Sequence, residues 1–267
     1  MGTLTLALSG GGAAGIGHVP VLQALDEIGV RPTAIAGTSI GAVVGACYAG
    51  GMTGEAIRAH VATLMEDPLA TARRFWRNAS FRHGAPALSI DPEATILAVL
   101  PEALPERIED LDIPMTVTAT DYHARRSVRF TEGPLRKVLA ASIALPAIFR
   151  PVQIDGRVLI DGGVTENLPV RALPPSDVCL AVDVATEPPS HNGGVPGPAE
   201  LLAGSLRIMM RALLSESLNG RDGVLLVEPD TRGFRALEFQ RWEEILQTAD
   251  EARAKVRRDL PPMLGMD

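Results

Sequence analysis

The sequence has few cysteines and no long uninterrupted hydrophobic segment. Its two cysteines, Cys47 and Cys179, lie within apolar runs of a 267-residue chain, so a disulfide framework is not expected. No apolar run approaches the ~20 residues that a transmembrane helix needs. The first eight residues alternate like a β-strand without positive charge, which argues against a signal peptide. These absences predict a cytoplasmic protein and leave open a peripheral contact with a membrane.

Aromatic residues make up only 4% of the chain, whereas hydrophobic residues of all kinds make up 46%. We therefore expect a core of Ala, Val, Leu and Ile, as in layered α/β proteins whose helices pack closely on a sheet. The net charge of −7 argues against nucleic-acid binding, which needs a basic face. No Cys/His spacing indicates a metal site. The length favours one domain over residues 1–267.

Strand-like and helix-like segments alternate along the chain, which predicts a three-layer α/β/α fold with a mostly parallel central sheet. Strands are predicted at residues 3–8, 33–37, 113–121, 128–131, 152–160 (as a hairpin), 178–184 and 223–227. Helices are predicted at residues 17–28, 40–49, 53–66, 135–141, 199–218 and 242–258, and another begins at residues 91–92.

A GxSxG pattern, Gly37-Thr38-Ser39-Ile40-Gly41, lies between a strand-like and a helix-like segment. A serine on such a turn has an exposed hydroxyl, and Gly37 and Gly41 let the strand and the helix approach closely. The N–H groups at the start of the helix can stabilise negative charge on an attacked carbonyl. Ser39 is therefore a candidate nucleophile, and a tight turn without chemical consequence is the alternative.

A glycine-rich loop at residues 9–15 follows the first strand and precedes a helix, an arrangement that binds anions. Gly10, Gly12 and Gly15 also satisfy the GxGxxG pattern of dinucleotide sites. The acidic residue that such a site needs is absent, because the second strand leads directly into the GxSxG turn. Two loops at one edge of a parallel sheet favour a different role, in which the amides of Gly10, Gly11 and Gly12 donate to an oxyanion. A nucleotide-binding loop and a turn without a ligand are the alternatives.

Ser39 needs a base to take its proton. A Ser-His-Asp α/β-hydrolase is disfavoured, because several strands precede the serine turn in that fold and the last histidine here, His191, lies in a Pro/Gly-rich loop. A carboxylate can serve directly if partial burial raises its pKa. Asp161 lies at the end of a strand beside Gly162 and Gly163, where another loop can approach closely. An ordinary Asp-Gly turn is the alternative at this position.

Taken together, the glycine loop, the GxSxG turn and Asp161-Gly-Gly resemble the patatin-like phospholipase family. The likeness covers most of residues 3–185 and extends to residues 22–29, 119–121, 141–149 and 161–169, whereas residues 199–258 match only in strand and helix content. The resemblance implies a patatin-like fold and an acyl hydrolase in which Ser39 is the nucleophile and Asp161 the base. It also implies an oxyanion hole at Gly10–Gly12, a lipid or acyl-ester substrate, and no metal or organic cofactor.

Two positions depart from the family pattern: Ala14 stands where a basic residue is usual, and Pro20 where a glycine is usual. Without a cation in the loop, we expect dependence on backbone amides and a preference for neutral or short acyl esters over anionic phospholipids. A patatin-fold protein with little hydrolysis, acting through an interaction surface, is the alternative. The Arg- and aromatic-rich residues 73–83 are a candidate lipid contact, with a solvated cap as the alternative. Met209-Met210 is a second candidate, with a helix core as the alternative.

Overall fold

The computed structural model describes residues 2–66, 90–185, 195 and 197–266. Its strands are β1 (Leu4–Leu8), β2 (Ala34–Thr38), β3 (Met115–Asp121), β4 (Arg126–Phe130), β5 (Val152–Ile154), β6 (Arg157–Asp161), β7 (Val178–Val182) and β8 (Val224–Val227). Its α-helices are α1 (His18–Glu27), α2 (Ile40–Ala49), α3 (Gly54–Glu66), α4 (Pro92–Val99), α5 (Leu135–Ser142), α6 (Pro198–Leu218), α7 (Trp242–Thr248) and α8 (Asp250–Met263). The segment at residues 73–83 and His191 lie outside the described residues.

The strands form one mixed sheet in the order β5-β6-β3-β2-β1-β7-β8, and β4 pairs with β3. The adjacent strands β3, β2, β1, β7 and β8 are parallel to one another. Strands β4 and β6 run antiparallel to β3, and β5 runs antiparallel to β6. The predicted α/β fold with a mostly parallel sheet is therefore confirmed. Because the carboxyl ends of parallel strands share one edge, the loops after β1 and β2 meet there.

Successive side chains of a strand point to opposite faces of the sheet, and β1 shows that both faces are covered. Leu4, Leu6 and Leu8 belong to the larger core cluster, to which α1, α2, α3, α5 and α8 contribute. Ala7 points the other way and belongs to a smaller cluster with Leu214 of α6. The sheet is thus flanked by helices on both faces, as predicted, but the two helical layers are unequal.

The C-terminal helical segment differs from the prediction of one helix over residues 242–258. Ala249, with φ −85° and ψ −2°, separates α7 from α8, and α8 continues to Met263. Pro261 and Pro262 lie in its last turn, where the fixed φ of proline is compatible with helix and few hydrogen bonds are lost. Among the described residues, no helix is both long and apolar enough to cross a membrane.

Candidate active site

Ser39 occupies the turn between β2 and α2 with φ 54° and ψ −127°. This conformation is costly for a residue with a side chain, and such strain is concentrated at functional sites. The flanking glycines allow the chain to pack closely around this turn. A Cβ atom at Gly37 would lie 2.6 Å from the Cα of Ala42, and one at Gly41 would lie 2.4 Å from the carbonyl oxygen of Ser9. The predicted strand, turn and helix are therefore present, and Ser39 is partly exposed at the turn.

The hydroxyl of Ser39 donates a hydrogen bond to Oδ2 of Asp161 at 2.7 Å. Strand β3 brings these two residues together. Thr38 at the end of β2 pairs with Thr118 in parallel register, and Asp161 at the end of β6 pairs with Ala119 in antiparallel register. The register of three neighbouring strands therefore sets the contact between two side chains that are distant in the sequence.

The Asp161 carboxylate is 5% exposed, and both of its oxygens accept a hydrogen bond. Its second oxygen, Oδ1, accepts the N–H of Gly163 at 2.7 Å. Gly162 lets the residues after β6 approach β3 closely, since a Cβ there would lie 2.6 Å from the carbonyl oxygen of Thr118. Burial raises the pKa of Asp161 to about 6, although the hydrogen bonds from Gly163 and Ser39 oppose the shift. Such a carboxylate is largely ionised above pH 7 and is more basic than an exposed one.

The three glycines of the first loop are not equivalent. Gly10 is buried, and its N–H donates to the carbonyl of Asn167 at 3.2 Å, so this amide is already occupied. Gly11 and Gly12 are partly exposed, and neither N–H has a protein acceptor within the part of the chain that the structure describes. Of the three amides predicted to bind an oxyanion, those of Gly11 and Gly12 therefore remain candidates.

The glycine loop is fixed from two directions. Besides accepting the Gly10 N–H, Asn167 donates from Nδ2 to the carbonyl of Gly10 at 3.4 Å. On the other side, the carbonyl of Ala236 accepts the N–H of Ala13 at 2.8 Å. Gly12 has φ 59°, and a Cβ there would lie 2.3 Å from the Ala236 oxygen. The loop thus presents two amides from a backbone that its neighbours hold in place.

The sequence of this chain is similar to sequences of known proteins. A model of the family described as patatin-like phospholipase matches residues 6–174, more than half of the chain. The chain belongs to the patatin-like phospholipase family. An uncharacterized NTE family protein of Mycobacterium tuberculosis is 39% identical over 196 residues, which cover 73% of this chain and 51% of the relative. A lysophospholipase NTE1 of Coccidioides immitis is 26% identical over 91% of this chain and 17% of the relative.

Solved structures of low sequence identity share the fold. VipD from Legionella pneumophila matches with a TM-score of 0.50 at 13% identity. The match covers 96% of this chain and 66% of the VipD chain. The heterodimeric complex ExoU-SpcU from Pseudomonas aeruginosa matches with a TM-score of 0.50 at 16% identity. The match covers 98% of this chain and 52% of the matched chain. The chain spans about half the length of the curated relatives that it matches at 39% identity.

None of the histidines described in this patatin-like chain, His18, His60 and His123, contacts the Ser39 hydroxyl. His18 is fully buried, with Nε2 2.9 Å from the carbonyl oxygen of Ser9, and burial lowers its pKa to about 4. It is therefore a neutral residue that supports the start of the glycine loop. Two further histidines, His83 and His191, lie outside the described residues.

The glycine loop of the patatin-like site packs closely against α2. A Cβ at Gly15 would lie 2.2 Å from the side chain of Ile40, so the absence of a side chain at Gly15 permits this contact. Within residues 2–66, 90–185 and 197–266, no group of three or more His, Cys, Asp or Glu side chains could hold a metal. The arrangement instead provides a hydroxyl, a buried carboxylate and two amides.

Several residues that shape this patatin-like site have no role predicted from the sequence. Asn167 and Ser142 lie in segments that match the family pattern, so the match could have drawn attention to them. Ala236 acts through its backbone, and no local pattern marks it. Its contact with the glycine loop depends on how the segment after β8 folds back over the sheet edge.

Replacement of Asp161 by asparagine is expected to stabilise the protein at neutral pH. The unfolded carboxyl loses its proton near 3.8 and the folded one near 6, so the stability of the wild type falls as pH rises between these values. This difference corresponds to about 3 kcal/mol. Asparagine mimics the neutral form of the carboxyl. Urea unfolding should therefore show that the free energy of unfolding of the variant, relative to that of the wild type, rises by about 3 kcal/mol from pH 4 to pH 7. A pH-independent difference would contradict the raised pKa.

Proposed function

We propose that the protein is a serine acyl hydrolase that cleaves carboxylic esters of lipids through a Ser39–Asp161 dyad. The observation that carries the proposal is the 2.7 Å hydrogen bond from a partly exposed, strained serine to a buried carboxylate whose pKa is about 6. A nucleophile in direct contact with a base of raised pKa is the arrangement that acyl transfer requires.

In the acylation step, Ser39 Oγ attacks the ester carbonyl and its proton passes to Asp161 Oδ2. The N–H groups of Gly11 and Gly12 donate to the oxyanion of the tetrahedral intermediate. When the C–O bond to the alcohol breaks, Asp161 returns the proton to the leaving oxygen, and an acyl-enzyme remains. A donor at an oxyanion hole is worth ~10²–10³ in rate, so two preorganised amides can supply a large part of the acceleration.

In the deacylation step, a water molecule attacks the acyl-enzyme carbonyl while Asp161 takes one of its protons. Collapse of the second tetrahedral intermediate breaks the bond to Ser39 Oγ, which recovers a proton from Asp161. The products are a carboxylic acid and the original enzyme. Every proton is carried by one carboxylate, so no histidine is needed.

The proposed substrate class is a lipid acyl ester. Support comes from the family and from relatives named as lysophospholipases. Ala14 is a buried residue of the glycine loop and brings no cation to it. In this proposal the oxyanion therefore depends on backbone amides, and neutral or short acyl esters are better substrates than anionic phospholipids.

The direct test compares purified wild-type protein on 4-nitrophenyl butyrate and on a lysophosphatidylcholine, with fatty-acid release as the readout. We expect hydrolysis of both, and loss of both after treatment with a serine-directed fluorophosphonate. Hydrolysis of neither ester, together with no reaction with the reagent, would favour the alternative of a patatin-fold protein that acts as an interaction surface.

Helix α6 supplies a candidate surface for contact with a membrane. It passes beside Asp161-Gly-Gly: Met210 Cε would lie 3.4 Å from a Cβ at Gly163. On its outer side, Ile208 and Met209 are 72% and 60% exposed. The two adjacent methionines therefore differ, because Met210 faces the candidate site while Met209 faces outward. We propose that this outer face inserts into the lipid interface when the site takes up a substrate.

Replacing Ile208 and Met209 together by serine is expected to weaken binding to phosphatidylcholine vesicles by about tenfold or more, since two large apolar side chains no longer insert. The ratio of vesicle hydrolysis to 4-nitrophenyl butyrate hydrolysis should fall to a similar extent. Met263→Ser is the control. This side chain is also exposed, but it lies beside Leu264, which contacts Gly2 at the opposite edge of the sheet. Equal losses of vesicle binding in the double variant and in Met263→Ser would argue against α6 as the lipid contact.

A further inference from the structure

The hydroxyl of Ser142, the last residue of α5, accepts the backbone N–H of Ser39 at 2.8 Å. Ser142 is completely buried. We propose that Ser142 is a positioning residue, which fixes the strained turn of Ser39 and thereby sets the direction of the nucleophile. The inference deepens the proposed hydrolase function and rests on it for its kinetic consequences.

Ser39 needs contacts on both sides to hold its strained backbone. A residue with φ 54° and ψ −127° keeps that conformation only where its surroundings over-determine it. On the carbonyl side, Ser39 accepts the N–H groups of Ala42 and Val43 at 2.9 and 3.2 Å, which belong to the first turn of α2. On the amide side, the acceptor is Ser142 Oγ. Without this acceptor, the partly buried N–H of Ser39 would be left unpaired. A rotation of the turn could then relieve both the unpaired N–H and the backbone strain.

The segment at the end of α5 also holds the backbone of the proposed base, Asp161. The N–H of Asp161 donates to the carbonyl of Ala144 at 3.0 Å, two residues after Ser142. The end of α5 therefore makes one hydrogen bond to the backbone of each member of the dyad. Leu135, Val138 and Leu139 of this helix are fully buried, which anchors its end in the core. The short Oγ–Oδ2 contact thus depends on a third, rigid element.

The bond to Ser142 also determines which amides can bind the oxyanion. Because its N–H is bonded to Ser142, Ser39 cannot use that group to bind an oxyanion. The proposed donors, Gly11 and Gly12, lie in the loop after β1, and β1 neighbours β2 on the side away from β3 and β6. A rotation of the Ser39 turn would move Oγ relative to both the Asp161 carboxylate and these amides. An error of about 1 Å in such an alignment can cost ~10²-fold in rate.

The test compares Ser142→Ala with the wild type in kinetics and in hydrogen exchange. We expect kcat for 4-nitrophenyl butyrate to fall about 10- to 100-fold with little change in KM. The acid limb of the pH profile should stay in place, because Ser142 does not contact the Asp161 carboxylate. The Ser39 amide should exchange at least tenfold faster. Ser142→Thr keeps the hydroxyl acceptor and should recover most of the kcat.

Thr5→Ala is the matched control. Thr5 lies in β1 and is as deeply buried as Ser142, and its hydroxyl is hydrogen-bonded to Ser176, which precedes β7, at 2.8 Å. Its loss should lower stability while leaving kcat and the exchange of the Ser39 amide unchanged. If Ser142→Ala does not fold, Ser142→Cys retains a weak acceptor of similar size and should give an intermediate loss of kcat.

The proposal is overturned if folded Ser142→Ala keeps kcat and Ser39 amide exchange within twofold of the wild type, or if Thr5→Ala loses as much activity. Failure of the hydrolase function would be seen separately, as a wild-type protein that neither hydrolyses the ester nor reacts with a fluorophosphonate. In that case hydrogen exchange at Ser39 still tests whether Ser142 holds the turn.

Discussion

Replacing Ser39 by alanine should lower ester hydrolysis by about 10⁴-fold or more while the protein stays folded. The hydroxyl contributes one hydrogen bond, to Asp161, and makes no contribution to the core, since Ser39 is partly exposed. Alanine keeps the Cβ atom, so the strained turn and its bond to Ser142 are retained. Initial rates on 4-nitrophenyl butyrate and a thermal unfolding curve would measure the two effects.

Ser217→Ala provides the control for this experiment. Ser217 lies near the end of α6, and its hydroxyl bonds only to the carbonyl of Leu214 among the described residues. This variant should hydrolyse the ester at the wild-type rate. Retention of substantial activity in Ser39→Ala would show that another group is the nucleophile.

Asp161→Asn should reduce kcat/KM by about 10³- to 10⁴-fold, because an amide oxygen is too weak a base to take the serine proton. The asparagine still fits between Ser39 and Gly163, so the loss arises from chemistry and not from packing. In the wild type, kcat/KM should fall with decreasing pH around the pKa of Asp161, which is about 6. The residual activity of the variant should lack this acid limb.

His191→Ala tests the competing assignment of a histidine base. With a Ser39–Asp161 dyad, this substitution should leave both the rate and the acid limb unchanged. An active Asp161→Asn variant and an inactive His191→Ala variant would instead place the protein among the Ser-His-Asp hydrolases.

The sequence allowed the individual elements and the chemistry-bearing motifs to be predicted, because both have local signatures. The GxSxG turn requires glycines within a few residues of Ser39, and the alternation of strands and helices predicts a sheet that brings the loops after β1 and β2 to one edge. The placement of Asp161 followed only from the family resemblance. Its contact with Ser39 depends on the antiparallel pairing of β6 with β3, which residue patterns do not specify.

The contacts that refine the site could not be predicted for the same reason. Three successive glycines are equivalent in the sequence, yet Asn167 occupies the amide of Gly10 and leaves those of Gly11 and Gly12. Ser142 and Ala236 reach the site from α5 and from the segment after β8, through single hydrogen bonds. Such bonds are consequences of tertiary packing and have no signature in the neighbouring residues.

The most direct measurement of the central claim is mass-spectrometric mapping of the adduct formed with a fluorophosphonate. We expect one equivalent of reagent per protein, attached to the peptide that contains Ser39. Labelling should be absent in Ser39→Ala, and its rate should decline below pH 6 as Asp161 becomes protonated. An adduct on a different serine, or continued ester hydrolysis by a protein that remains unlabelled, would contradict the assignment of Ser39 as the nucleophile.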